Sequence, residues 1–393
     1  MVKNLNPMRW VLLLMVFSVA LASCAPTAAA PAVMSPTDTQ SALSEELPEQ
    51  VVETSPEPVA GGGFSVTDAL GRTIEFESPP QRVVQAGRAG IMLVDSMYLF
   101  PGTLDRLVAM PEIMQGAGSF SAVIDPDYEE KARFTNDVGP EQVAATQPDV
   151  VLLKTFMQES LGKPLEELGI PVVYLEFETP EQYQRDLMTL GALFQDVETA
   201  ERLTAYYQAG VDRVADPLAG LPESEKPDVL MLYYNDSDGE VAFNVPPLGW
   251  MQTILVETAG GIPAWKDAQL GNGWSKVNFE QISAWNPDQI YIISYWSNAD
   301  DVVAGLKENP EWQALRAVQE GEIYSFPADY YSWDQPDVRW LLGLNWLATK
   351  IHPDLFADLD ILQVTRAFFR DLYGMDDAAF ETHIAPYLRG DLP

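Results

Sequence analysis

Two segments of this chain, 139 residues apart, have nearly the same sequence. Residues 141–151 read EQVAATQPDVV, and residues 280–290 read EQISAWNPDQI. Five of the eleven positions are identical, and two more keep a branched aliphatic side chain. In each copy a short helix ends before a proline, Pro-Asp forms a turn, and an apolar run follows that suits a buried strand. One such unit in each half predicts two similar α/β lobes with a ligand cleft between them.

The N-terminus has the pattern of a targeting signal. Lys3 and Arg9 precede the apolar run 10–22, which is too short to be a convincing membrane-spanning helix. Cys24, the only cysteine of the chain, follows Leu-Ala-Ser, as in a bacterial lipobox. We therefore expect residues 1–23 to be a lipoprotein signal peptide and Cys24 to carry a lipid anchor on the extracytoplasmic face of the cell membrane. The alternative is an ordinary signal peptide with a chance cysteine.

Residues 24–63 contain no aromatic residue and are rich in Ala, Pro, Ser, Thr and Glu. This composition cannot bury a core and predicts a disordered tether with a reach of about 30–40 Å. The formal net charge of the whole chain is −35, with 58 acidic against 23 basic residues. Such a surface argues against binding to nucleic acid or to anionic lipid.

Strand and helix patterns alternate through the remainder of the chain. This alternation predicts an α/β fold in which each lobe has a mainly parallel central sheet flanked by helices. We assign an N-terminal lobe to residues 64–195, a long linking helix to residues 196–219, and a C-terminal lobe to residues 220–393. The long helix would act as a rigid spine, and the ligand cleft would lie between the lobes.

The globular part resembles the bacterial substrate-binding proteins of ABC importers for ferric siderophores, haem and cobalamin, the class in which a long helix links two lobes. The resemblance covers about residues 64–375 and depends on the order and spacing of several motifs, since none is specific alone. The motifs are Val66–Arg72 with Pro79–Val84, the two Pro-Asp repeats, Leu168–Val173, Trp346–Ala348 with His352–Phe356, and Phe369–Gly374. The resemblance implies an extracytoplasmic protein, here expected to be monomeric, that delivers its ligand to a permease dimer driven by an ATPase.

In that family an acidic residue on the outer surface of each lobe docks to arginines of the permease. The matching residues are Glu141 and Glu280, at the start of the helix in each copy of the repeat. A carboxylate at a helix N-terminus is stabilised by the helix dipole and can accept a bidentate arginine. The alternative is that each glutamate serves only its own helix end.

Open parallel sheets place ligands beyond the carboxyl ends of their strands, so residues just after the predicted strands are the candidates for ligand binding. Nine of the ten tryptophans lie between Trp250 and Trp346, which makes the second half unusually aromatic. The predicted ligand-binding residues are Arg88, Phe156, Tyr234, Asn235, Trp250, Trp274, Trp296, Tyr330, Tyr331, Trp333 and Arg339. This aromatic set favours a large, flat or aromatic-bearing ligand over a bare ion. An ordinary surface position or packing within the core is the alternative role for each of these residues.

The ligand that we favour is a ferric siderophore, which carries its own chelated metal and needs neither a protein metal site nor a cofactor. The only histidines, His352 and His383, cannot form a histidine-rich metal site. Haem or cobalamin is the second choice, and Tyr234, Tyr330 or Tyr331 could serve as an axial ligand of haem. A ligand-sensing module remains open as a further alternative. We do not expect an enzyme, because the sequence lacks the usual nucleophile and metalloprotease motifs. The enzymatic alternative is a glycosidase-like hydrolase with a carboxylate pair.

Overall fold

The structure is a computed structural model of the chain, and it describes residues 62–236 and 239–393. The predicted signal peptide, Cys24 and nearly all of the predicted tether lie outside the described residues. No helix in the described part of the chain is long and apolar enough to cross a membrane.

The N-terminal lobe begins with an antiparallel hairpin and continues into a five-stranded parallel sheet with the strand order β5-β4-β3-β6-β7. Its core strand β6 is completely buried, as the apolar run Val150–Leu153 predicts. The strands are β1 Phe64–Thr67, β2 Thr73–Phe76, β3 Val83–Gln85, β4 Leu107–Pro111, β5 Ala132–Phe134, β6 Val150–Lys154 and β7 Val172–Leu175. The helices are α1 Gly90–Met97, α2 Ser121–Ile124, α3 Pro140–Ala144, α4 Lys163–Glu167 and α5 Pro180–Phe194.

A single helix, α6 Val197–Leu218, leads from this lobe to the next. It lies within the segment 196–219 for which the sequence predicts a linking helix. Asp196 caps its first turn by accepting a hydrogen bond from the Thr199 backbone N–H at 3.2 Å. The helix packs on α5 on one side and on the C-terminal helix α11 (Trp340–Ile351) on the other, so both lobes contribute to its surroundings.

The C-terminal lobe contains a separate sheet with the order β11-β9-β8-β12-β13, in which β10 also pairs with β8. The β8–β12–β13 part is parallel, whereas β9 and β11 add an antiparallel edge. The strands are β8 Asp228–Asn235, β9 Ala242–Val245, β10 Ile262–Pro263, β11 Ser275–Val277, β12 Gln289–Ile293 and β13 Ile323–Ser325. The other helices are α7 Met251–Thr258, α8 Phe279–Trp285, α9 Ala299–Glu308, α10 Arg316–Glu320, α12 Ile361–Tyr373 and α13 Asp377–His383.

The two copies of the repeat occupy equivalent places in the two sheets. Strand β6 lies between β3 and β7, and strand β12 lies between β8 and β13. The aspartate of each Pro-Asp motif has the same structural role in its own lobe. Asp149 Oδ2 accepts the backbone N–H of Arg82 at 2.9 Å, and Asp288 Oδ2 accepts the backbone N–H of Asp228 at 2.8 Å. Each aspartate thus ties its own strand to the start of the neighbouring parallel strand. The α/β fold with two lobes and mainly parallel sheets is confirmed.

Candidate functional site

The most exposed aromatic residues of the predicted ligand site lie at matching strand ends. Phe156 follows β6 and is 57% exposed, and Trp296 follows β12 and is 54% exposed. Because β6 and β12 are the repeat strands, the two rings occupy comparable positions in the two lobes. An exposed aromatic ring is not needed for packing, so each ring is available to a ligand.

A cluster of buried and half-buried rings lies beside Trp296. The ring centroids of Tyr233 and Tyr295 are 4.6 Å apart, and Trp274 packs on Tyr233 at 5.0 Å. Trp250 meets Trp274 edge-on at 5.8 Å. Trp250 and Trp274 are therefore partly packed and partly accessible, which suits the fixed wall of a binding site.

Polar groups of the predicted site lie at the same sheet edges. Arg88 follows β3 and forms an ion pair with Asp137 at 2.7 Å, with both side chains mostly exposed. Such an exposed pair is weak, and a ligand carboxylate could replace Asp137 as the partner of Arg88. Tyr234 and Asn235 end β8 and are half-buried, and Tyr234 packs on Phe243 at 5.8 Å.

The structure places Arg339 and Trp333 in the protein interior, whereas the sequence analysis predicts them to bind the ligand. Both side chains are completely buried. The Arg339 guanidinium is paired with Asp95 at 2.6 Å, with Asp329 at 2.7 Å and with Asp337 at 3.1 Å. An arginine surrounded in this way is not free to meet a ligand, and Arg339 instead joins α1 of one lobe to the C-terminal lobe.

Tyr330 and Tyr331 are also buried, at 4% and 1% exposure. The Tyr330 hydroxyl donates to the His383 carbonyl at 2.9 Å, and the Tyr331 hydroxyl accepts the Phe120 N–H at 3.2 Å. Their phenol oxygens are thus engaged within the protein. Of the three tyrosines predicted as haem ligands, only Tyr234 keeps a partly accessible side chain.

The structure adds two depressions that the sequence does not indicate. One is a groove of about 630 Å³ on the C-terminal lobe, between the β8–β9 connection and α9, with an apolar floor and an acidic rim. The other is a polar cavity of about 70 Å³ where a loop of the N-terminal lobe meets the strand ends of the C-terminal lobe. The groove has a volume typical of small-molecule sites, whereas the cavity has room only for a small chemical group.

Glu141 and Glu280 are both exposed in the first turn of their helices, α3 and α8. The glutamine that follows each of them caps the helix. Gln142 Oε1 accepts the Gly139 N–H at 3.1 Å, and Gln281 Oε1 accepts the Asn278 N–H at 3.0 Å. Among the described residues neither glutamate forms a salt bridge. The helix ends are therefore served by glutamine, which leaves both glutamates open to a partner.

The described residues contain no group of three or more His, Cys, Asp or Glu side chains that could hold a metal ion. The aromatic strand ends, the groove and the cavity lie on a two-lobe frame with one long connecting helix. These features define a ligand-binding protein of the two-lobe type, and comparison with known proteins gives its family.

The family model "Periplasmic binding protein" matches residues 121–330. The chain belongs to this family, in the class of substrate-binding proteins for ABC importers that includes the iron-siderophore and vitamin B12 types. It is similar to the molybdate-binding protein MolA of Haemophilus influenzae, with 23% identity over 62% of this chain and 73% of the relative. The iron-uptake system-binding protein of Bacillus subtilis is 24% identical over 53% of this chain and 67% of the relative.

Among solved structures, the crystal structure of a periplasmic solute-binding protein from Veillonella parvula matches with a TM-score of 0.63 and 26% identity. The match covers 81% of this chain and 96% of that protein. The chain is therefore an extracytoplasmic binding protein with a small-molecule ligand and a permease partner. It is a non-enzymatic binding protein, as the sequence predicts.

Proposed function

We propose that this protein captures a ferric chelate, most simply a ferric siderophore, and delivers it to an ABC permease. The single observation that carries the proposal is the exposed aromatic ring at the matching strand end of each lobe, Phe156 and Trp296. Exposed rings at the sheet edges of both lobes suit the broad, partly aromatic surface of a metal chelate, which brings its own iron ligands. The similarity to an iron-uptake binding protein supports the same ligand class.

Cobalamin or haem, each a large flat metal complex, is the second candidate within the same importer type. The partly accessible Tyr234 is the observation that keeps haem in consideration, because a tyrosinate can bind ferric haem. The engaged hydroxyls of Tyr330 and Tyr331 count against a site with several tyrosine ligands.

We further propose that Cys24 carries the lipid anchor and that Glu141 and Glu280 dock the loaded protein to the permease. Mass spectrometry of the protein extracted from its host membrane tests the first point and the ligand together. We expect an acylated N-terminal peptide beginning at Cys24, and an iron chelate that co-purifies. An unmodified N-terminus, or a tetrapyrrole in place of the chelate, would count against it.

The aromatic pair can be tested directly in the purified protein. The double variant Phe156→Ala/Trp296→Ala should bind ferric siderophores about tenfold or more weakly, because two stacking surfaces are lost. Leu168→Ala is a matched control, since Leu168 is 55% exposed but precedes β7 and so lies at the opposite edge of the sheet. Isothermal titration with ferrioxamine B, ferric enterobactin, haemin and cyanocobalamin would measure these affinities. Equal loss in the double variant and the control would refute the role of the pair.

A further inference from the structure

The polar cavity of about 70 Å³ differs in charge from the rest of this acidic protein. Its lining contains one arginine, Arg389, and neither an aspartate nor a glutamate. The wide groove on the same lobe is the opposite, because it is lined by Asp236, Asp301 and Glu311 and by no basic residue. The chain has 58 acidic and 23 basic residues, so a cavity lined by an arginine and by no acidic residue would favour anionic ligands over cationic ones.

Gln335 provides the clearest sign that a ligand group belongs in the cavity. Its side chain lines the cavity and is only 4% exposed. Its Oε1 accepts a hydrogen bond from Gln115 Nε2 at 2.7 Å, whereas its Nε2 has no partner among the described residues. A buried donor without an acceptor is costly, and native proteins rarely leave one unexplained. An oxygen atom of a ligand in the cavity would satisfy it.

Arg389 is a cation without a carboxylate partner. It is half-buried, its Nη2 donates only to the Asp329 carbonyl at 3.3 Å, and it forms no salt bridge with any residue that the structure describes. Its backbone is fixed, because Arg389 N–H donates to the Ala328 carbonyl at 2.9 Å and Ala328 N–H donates back at 3.2 Å. A guanidinium held in this way suits a carboxylate or another oxyanion.

The start of α9 adds a favourable electrostatic term. Asn298 and Ala299 line the cavity at the N-terminal end of this ten-residue helix, where the helix dipole favours an anion and offsets part of the repulsion from Asp300 and Asp301 in the same turn. The acidic residue nearest along the chain, Asp300, already accepts hydrogen bonds from Ser325 Oγ and, at 3.2 Å, from Gly390 N–H. The carboxylate of Asp334 likewise accepts the Tyr295 hydroxyl at 2.7 Å.

Both lobes close this cavity. The loop that follows β4 supplies Gln115 and Gly116, and Gly116 N–H donates to the Tyr295 carbonyl at 3.1 Å. A Cβ atom at Gly116 would lie 1.8 Å from the Tyr330 carbonyl oxygen, so only glycine allows this approach. Trp296, which belongs to the proposed ligand site, also lines the cavity. A group bound here would therefore be one end of a ligand held between the lobes.

We infer that this cavity binds an anionic oxygen group, and that the ligand is an acidic molecule whose carboxylate or oxyanion end is held by Gln335, Arg389 and the start of α9. The inference rests on the proposed function and narrows it to chelates of the carboxylate type. A free oxyanion of similar size has the same chemistry, and the experiment separates the two sources.

The test is isothermal titration of the wild-type protein, Arg389→Gln, Gln335→Leu and the control Arg370→Gln. Arg370 is an exposed arginine of the same lobe, paired with Asp371, so its loss changes the net charge equally. The probes are ferric citrate, which has carboxylates, ferrioxamine B, which has none, and sodium molybdate. The inference expects Arg389→Gln and Gln335→Leu to weaken binding of ferric citrate about ten- to hundredfold, while the control binds normally.

If Arg389→Gln and Gln335→Leu weaken the binding of molybdate but not that of ferric citrate, the cavity binds a free oxyanion. Tight binding of ferrioxamine B to every variant, without preference for ferric citrate, would overturn the inference and leave the ferric-chelate proposal intact. Failure of the wild-type protein to bind any of the probes would contradict both. Unfolding midpoints within a degree or two of the wild type show that a variant is correctly folded.

Discussion

Arg339 is the residue with the most crowded electrostatic surroundings in the described part of the chain. It is completely buried with Asp95, Asp329 and Asp337, and all three carboxylates cannot be charged at low cost beside a single guanidinium. Burial raises the pKa of Asp95 to about 6 and that of Asp337 to about 8, although Arg339 opposes both shifts. Because Asp95 lies on α1 and the other members belong to the C-terminal lobe, the cluster joins the two lobes.

These shifts predict how stability depends on pH. Between pH values of about 4 and 8 the folded protein keeps a proton on Asp337 that the unfolded chain releases, since an ordinary aspartate has a pKa of about 3.9. The folded state binds more protons, so the free energy of unfolding from this group falls as pH rises through that window. Asp337→Asn should therefore reduce the pH dependence of the free energy of unfolding by up to about 1.4 kcal/mol per pH unit.

Urea unfolding at pH 5, 6, 7 and 8 would measure this effect. Asp371→Asn is the control, because Asp371 is an exposed aspartate in an ordinary surface pair. For this control, the slope of the free energy of unfolding against pH should equal the wild-type slope. That slope includes the contribution of repulsion among the many acidic groups of the protein. Identical slopes for Asp337→Asn and the wild type would show that Asp337 is ionised in the fold.

At the scale of single elements, the contacts of α6 explain how one helix can link the lobes rigidly. Tyr207 on α6 donates to the Val338 carbonyl at 2.8 Å, and Arg213 donates to Asn345 Oδ1 at 3.2 Å. Both partners belong to the segment that contains α11. The linking helix is thus fixed laterally along its length, and we expect changes in lobe spacing to bend its ends more than its middle.

The packing of α11 gives a second prediction. A Cβ atom at Gly343 would lie 2.3 Å from the Trp333 carbonyl oxygen, and a backbone atom cannot move aside easily. Gly343→Ala should therefore lower the free energy of unfolding by about 1–3 kcal/mol. Gly305→Ala in α9, where nothing lies within 4 Å of the added methyl group, should raise it by up to about 1 kcal/mol. Urea unfolding of both variants would test the contrast, and equal effects would contradict it.

Elements with long or periodic patterns could be predicted from the sequence, whereas some of the shortest strands could not. Helix α12 follows a periodic apolar pattern, and the apolar runs after both Pro-Asp turns are buried strands, as the repeat predicts. Strands β5 and β11 have three residues each, which is too few for a period, and β11 is defined by its partner β9. Helices α5 and α6 are separated at Gln195, which has a φ of 57°.

The residues of the candidate site could likewise be predicted only in part from the sequence. Phe156 and Trp296 follow the repeat strands, so their place at the sheet edges could be inferred from order along the chain. Arg339 and Trp333 are buried because of their contacts with buried aspartates. These contacts join residues up to 244 positions apart in the sequence. Arg389 lies in the C-terminal tail, and only its pairing with Ala328 brings it to the cavity. No local pattern carries that information.

At the scale of the whole molecule, the duplicated unit gives the protein two similar corners, one on each lobe. Each corner presents a glutamate in the first turn of a short helix, and the neighbouring glutamine serves the cap. Two contact points on separate lobes would let a permease recognise both the orientation of the protein and the spacing of its lobes. This is the claim on which the transport proposal depends.

The most direct test of that claim is ATP hydrolysis by the permease–ATPase complex in proteoliposomes, stimulated by the loaded protein. Glu141→Ala/Glu280→Ala should keep the wild-type affinity for ligand and lose most of the stimulation, because the contacts with permease arginines are removed. The control Glu181→Ala/Glu198→Ala removes two other exposed first-turn glutamates, from α5 and α6, and should stimulate normally. Full stimulation by the Glu141/Glu280 double variant would contradict the account.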